Sequence, residues 1–126
     1  MLCLVNPPQG FYARLSNQLP EGSHLYLGLP PRPPAHIFLL WPDGASNLGN
    51  GLSYLKWALD PEGAIWMVIP KKKAVRPGMV AITLAEVREA AQRVGLVGDK
   101  EMSFSGSHYG IRLVFRRGER RAGTGR

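Results

Sequence analysis

Cysteine is almost absent from this chain: Cys3 is the single thiol among 126 residues. That excludes an internal disulfide and a cysteine-based zinc site. Histidine is nearly as scarce. His24, His36 and His108 are scattered, and no two stand at a metal-ligand spacing, so no metal is expected. Long apolar runs are missing as well. The longest, Ile37–Trp41 and Ala64–Ile69, fall far short of the ~18 residues that span a bilayer. Met1-Leu-Cys-Leu-Val5 has neither a basic leader nor an apolar stretch of signal length. These absences point to a soluble, cytoplasmic chain with no membrane segment.

Also lacking is a glycine-rich phosphate loop. A nucleotide-cofactor turn needs closely spaced glycines between a strand and a helix, and an acid about 20 residues on to hold the ribose. Asn6-Pro-Pro-Gln-Gly10 has one glycine and two prolines, Gly44…Gly49-Asn50-Gly51 is wrongly spaced, and no acid closes His24–Leu27. Neither adenosylmethionine nor NAD is expected, and no cofactor is assigned. Asp43, Asp60 and Glu62 sit in turns with no reason to pair for acid–base work. A Cys3–His–Asp43 nucleophilic arrangement has little behind it, since a strand thiol is usually an inert packing group. No catalytic residue is assigned.

What is present is charge, unevenly placed. The formal net charge is +7. Lys71, Lys72, Lys73 and Arg76 form one basic cluster, and Arg112–Arg126 holds six arginines against the single acid Glu119. The remaining residues, six basic and eight acidic, sum to −2. The chain thus has a basic loop and a basic end rather than a basic surface throughout.

The length fits one domain over residues 1–117, with 118–126 as a basic, disordered tail. Leu2–Val5 reads as a buried strand. Asn6-Pro7 then suggests a helix over Pro8–Asn17 with Asn6 as its N-cap. His24–Leu27 reads as a short strand, and Pro30–Pro34 as an extended loop, because proline lacks the N–H that a helix or sheet uses. Ala35–Trp41 is a strand apolar on both faces, as in a parallel sheet. Leu48, Leu52, Leu55 and Leu59 mark one face of a helix over Ser46–Leu59. Asp60-Pro-Glu-Gly63 breaks it, and Ala64–Ile69 is the next strand. Thr83 and Glu86 have capping-box spacing ahead of the apolar stripe Leu84, Val87, Ala91 and Val94. Leu96–Ser105 and Ile111–Arg116 should pair antiparallel across a short loop. Trp57 and Trp66 read as core, and His36 as a partly buried packing residue. The order β-α-β-β-α-β-α-β-β predicts an α/β fold. It is three-layer and Rossmann-like, with about six mostly parallel strands, helices on both faces and an antiparallel C-terminal hairpin.

Residues 35–40, Asp60 through Lys72, a helix ending at Val94-Gly-Leu96 and the closing hairpin together resemble the C-terminal half of class I adenosylmethionine-dependent methyltransferases. More closely, Asn6-Pro-Pro-Gln-Gly-Phe11, Leu19-Pro-Glu-Gly22, Trp66 through Lys72 and Arg112–Arg117 resemble a small bacterial domain family of unknown function with that truncated plan. The resemblance spans residues 2–117 and implies a fold but no activity. Lys73 and Arg76-Pro77 extend the loop beyond the family's pattern.

In open α/β sheets ligands sit beyond the carboxyl ends of the strands. On this reading Asn6, Trp41 and Asp43, and Lys71, Lys72, Lys73 and Arg76 all fall on that edge. Asn6 and the cations are the candidate anion-binding residues, helped by nearby helix N-termini, and Trp41 and Asp43 are candidate pocket-lining residues. The bland readings are a solvated basic loop, an N-cap and a strand-end tryptophan. The leading expectation is a non-catalytic binding domain whose basic edge meets an anionic small molecule or a nucleic acid. The alternative is a small transferase-like enzyme with a non-standard pocket at the same edge. A subunit of a complex, recognisable by an exposed apolar patch, is a third.

Overall fold

The computed structural model describes residues 1–42, 48–72, 75, 77 and 81–116. The elements run β1 (Leu2–Val5), α1 (Phe11–Ser16), β2 (Leu25–Leu27), β3 (Ala35–Leu40), α2 (Leu48–Trp57), β4 (Leu59–Pro70), α3 (Leu84–Arg93), β5 (Leu96–Ser103) and β6 (His108–Phe115). They form one six-stranded sheet in the order β2-β1-β3-β4-β6-β5. The first four strands are mutually parallel, and β6 runs antiparallel to both β4 and β5. The α/β, Rossmann-like architecture with its closing hairpin is as the patterning implied. The expected tail, 118–126, lies outside the described residues. No described helix is long and apolar enough to cross a membrane.

Side chains alternate across each strand, so the sheet has two unlike faces. Cys3, Phe38, Leu40, Ile65, Met67, Ile111 and Leu113 point to one of them, where α2 and α3 cover them with Leu52, Leu55, Val87 and Ala91. Phe38, Ile65 and Leu113 are wholly buried, each contributing about 1.5–3 kcal/mol through loss of water contact. On the opposite face α1 alone lays Phe11 and Leu15 over Leu4, Trp41 and Val68. The cover there is thinner.

α3 is the best specified helix. Thr83 Oγ1 accepts from the Glu86 N–H at 3.1 Å, and Glu86 Oε1 accepts from the Thr83 N–H at 3.0 Å. At its other end Lys56 Nζ donates to the Val94 carbonyl at 2.6 Å, and Arg116 donates to that of Gln92. Both cations sit where the helix dipole is negative. Gly95, at φ 85°, turns the chain out of the helix.

Four local expectations need correction. The first helix starts at Phe11 after Gly10 (φ 83°), and Asn6 is not its cap. Asn6 itself adopts the left-handed conformation at φ 64°, and the two prolines keep the next residues in a loop. β4 begins at Leu59, not Ala64. Two steps of β3, Ala35 to Ile37, are matched by Leu59 to Ala64, so Asp60–Gly63 bulge out of register. Asp60 Oδ1 accepts the Glu62 N–H at 2.8 Å to hold that bulge. Trp57 is 76% exposed, because it stands off the buried Leu48–Leu52–Leu55 stripe. His36 is exposed too, with Nδ1 3.1 Å from the N-terminal nitrogen.

Candidate functional site

The chain leaves β1 outward to β2 and then returns on the other side of β1 as β3, so the topological switch point lies between β1 and β3. Asn6 follows β1, Trp41 follows β3, and Lys71 and Lys72 follow β4, all on the carboxyl edge of the parallel strands. With β3 between them, β1 and β4 lie ~10 Å apart at ordinary strand spacing. Because β6 runs antiparallel to β4 and pairs His108 with Pro70, the tip of the β5–β6 hairpin lands on this same edge.

That hairpin fixes Lys71. Its backbone N–H donates to the Ser107 carbonyl at 2.8 Å, and its Nζ donates to Ser103 Oγ at 2.9 Å and lies 5.2 Å from the centre of the Tyr109 ring. An ammonium has three N–H donors, and this arrangement uses one of them on Ser103. Ser103 Oγ in turn donates to the Ser105 carbonyl at 3.1 Å, while the hydroxyls of Ser105 and Ser107 lie 3.3 Å apart. Ser107 Oγ is 2.7 Å from His108 Nδ1, and burial holds the His108 imidazole below its ordinary pKa. One positive charge and a row of hydroxyls therefore share a short stretch of rim.

Beside them is a cavity of about 540 Å³, walled by Ile69, Val75, Ile82 and Leu84, with Lys72 and Tyr109 also in its lining. Thr83 reaches the same space, but the start of α3 offers an anion little. Glu86 has already placed a carboxylate against the Thr83 N–H. The capping box takes up the Thr83 and Glu86 N–H groups at this helix start.

Asn6 is exposed beyond β1. Trp41 is 8% exposed and sits in an aromatic triad, its ring centre 4.8 Å from that of Phe11 and 5.9 Å from that of Phe104. Phe11 and Phe104 stack at 6.1 Å. Lys73, Arg76 and Asp43 lie outside the described residues. The serines of the hairpin escaped sequence reasoning. Hydroxyls alternate in Ser103-Phe-Ser-Gly-Ser107, but their relevance depends on β6 pairing with β4, a long-range contact that local patterning does not show. Among the described residues, no three His, Cys, Asp or Glu side chains gather to hold a metal.

Solved structures similar to this chain are methyltransferase-like. The complex of LepI with SAH and a substrate analogue aligns with 91% of this chain at 16% identity and a TM-score of 0.55. The chain spans 36% of LepI's length. The mitomycin 7-O-methyltransferase MmcR aligns at 12% identity and a TM-score of 0.66, over 91% of this chain and 48% of that one. A TehB-like SAM-dependent methyltransferase from Corynebacterium glutamicum aligns at 11% identity and a TM-score of 0.64, over 91% of this chain and 80% of that one. These likenesses show the fold alone. No curated protein matches. Residues 35–117, from β3 to just past β6, match a family described as "Protein of unknown function (DUF3052)", and the chain belongs to that family.

Proposed function

We propose that this chain is a non-catalytic binding domain that holds an anionic small molecule, by its chemistry a phosphorylated one, at the carboxyl edge of its sheet. The observation that carries this reading is the fixed ammonium of Lys71, aimed along the hairpin hydroxyls beside an apolar cavity with Lys72 in its lining. Charge-assisted hydrogen bonds to a phosphate are about twice as strong as neutral ones, and a pre-positioned donor loses less entropy on binding. The apolar walls suit the body of a small ligand.

The fold of the similar structures raises adenosylmethionine as a ligand, and the residues present do not fit it. Pro7 and Pro8 remove two backbone donors from the loop after β1. Phe11 and Trp41 pack against each other at the exits of β1 and β3, which is the crevice where this type of fold takes its cofactor. β2 runs from Leu27 into Gly28 with no acid to hold a ribose.

The test is a thermal-shift series with phosphorylated metabolites, adenosylmethionine and a short RNA, followed by a salt titration of any hit. A phosphorylated compound should raise the melting temperature by several degrees. The effect should shrink with salt and in Lys71→Ala. A shift with adenosylmethionine alone would replace this reading with that of a transferase-like enzyme. No shift with any compound removes it.

A further inference from the structure

The face of the sheet that α1 covers carries a second hollow. It is a groove of about 410 Å³ whose floor is Ile37, Leu39 and Trp66, flanked by Phe11 on α1 and by Met102 and Phe104 on the hairpin. Phe11 and Phe104 both touch Trp41, so the aromatic triad borders the groove toward the carboxyl edge. At the other end Ile37 (39% exposed) and Met102 (48%) are open to water. The groove is open along much of its length, and its volume lies within the ~300–1,000 Å³ typical of small-molecule sites.

Its chemistry is narrow. No charged side chain lines it. Two cations flank it: Arg14, whose guanidinium lies 6.0 Å from the centre of the Phe11 ring, and Arg112, which pairs in register with Trp66 and donates from Nε and one terminal nitrogen to the Asp99 carboxylate at 2.8 Å. That bidentate pair commits the Arg112 guanidinium to Asp99, so an anion gains little from it. Trp66 is supported from beneath. A Cβ on Gly110 would lie 3.2 Å from the indole, so the missing side chain lets the ring settle against β6. Indole, two phenyl rings and a thioether favour flat π-systems, through offset stacking and sulfur–aromatic contact.

We infer that this groove is a binding site for a neutral, planar, fused-ring aromatic molecule, entered past Ile37 and Met102. The inference does not rest on the anion reading, although Ser103, the partner of Lys71, also reaches the groove's lining.

Naphthol serves as the neutral probe and naphthalene sulfonate as its charged counterpart, titrated against the full chain by tryptophan fluorescence and calorimetry. Naphthol should bind saturably and at least tenfold more tightly than the sulfonate. Ile37→Thr and Met102→Glu alter exposed positions at the mouth, and each should weaken naphthol at least tenfold while the melting temperature stays close to that of the parent. Lys71→Ala should leave it unchanged, which separates this result from the fate of the phosphate reading. Equal affinity for the two probes, or naphthol binding indifferent to both mouth variants, overturns the inference. So does a concentration-dependent dimer in sedimentation that Met102→Glu dissolves, since the groove would then be a contact between copies of the chain.

Discussion

A Cβ placed on Gly63 would lie 2.5 Å from the carbonyl oxygen of His36, closer than real side-chain carbons come to backbone oxygen, and 2.9 Å from a Leu59 methyl. Gly63 closes the bulge that brings β4 back into register with β3, and the atom in the way is backbone in the neighbouring strand. Gly63→Ala should therefore cost about 1–3 kcal/mol, the usual range for forced overpacking. Urea denaturation would read this as a lower midpoint with an unchanged slope. An unchanged midpoint would mean that the bulge relaxes freely.

The aromatic triad should matter more than any other contact on its face. α1 has only six residues and no side-chain cap, too short to be stable alone, so Phe11 and Leu15 pin it to the sheet. Trp41→Ala should cost about 3–5 kcal/mol. It should also speed amide exchange across Phe11–Ser16 before the strands beneath are affected. Uniform acceleration over the whole chain would contradict this division.

Thr83→Ala removes one half of the capping box and should cost about 1 kcal/mol. Thr83→Ser keeps the acceptor oxygen and should recover most of that loss. Thermal melts of the two variants beside the parent make the comparison, and equal losses in both would assign the effect to the methyl group.

Acid should weaken the fold in two steps. Burial holds the His108 imidazole below its ordinary 6.5. A depressed folded value means the stabilisation is whole above the unfolded pKa and is lost as the pH falls toward the folded one. Hydrogen bonds from Arg112 likewise hold the Asp99 carboxyl below its ordinary 3.8, so its share is kept above about pH 4 and lost beneath it. The Asp99 share is small, since its ion pair with Arg112 is partly exposed. In urea midpoints measured against pH, His108→Gln should flatten the slope just below 6.5, and Asp99→Asn the slope below 4. A variant that leaves its own step intact would show that another group titrates there.

Most of the fold was legible because the signals are local. Alternation at Ile111, Leu113 and Phe115, the Thr83–Glu86 spacing and the Leu48–Leu52–Leu55 stripe each specify an element without help from distant residues. Where local reading failed, a distant contact decided. Asp60–Gly63 looks like a break, and becomes strand only because Asp60 folds back on Glu62 while Gly63 slides past His36. Asn6 carries every mark of an N-cap, but the prolines after it delay the helix until Phe11. Of the candidate site, sequence put Asn6, Trp41, Lys71 and Lys72 on one edge of the sheet, and the topology does the same. It did not show that Trp41 would be packed between Phe11 and Phe104, nor that Ser103, Ser105 and Ser107 would arrive beside the lysine, since both depend on how far the hairpin reaches along β4.

The outermost strand β5 places Asp99, Lys100 and Glu101 in succession, so charges project from both sides of its pleat. A foreign strand seeking the free N–H and C=O groups of that border would have to lie against them, an arrangement that discourages zipping of one chain onto another. The opposite border, β2, offers only the three residues Leu25–Leu27 as a template. At high concentration this protein should therefore resist fibre formation through either margin of its sheet.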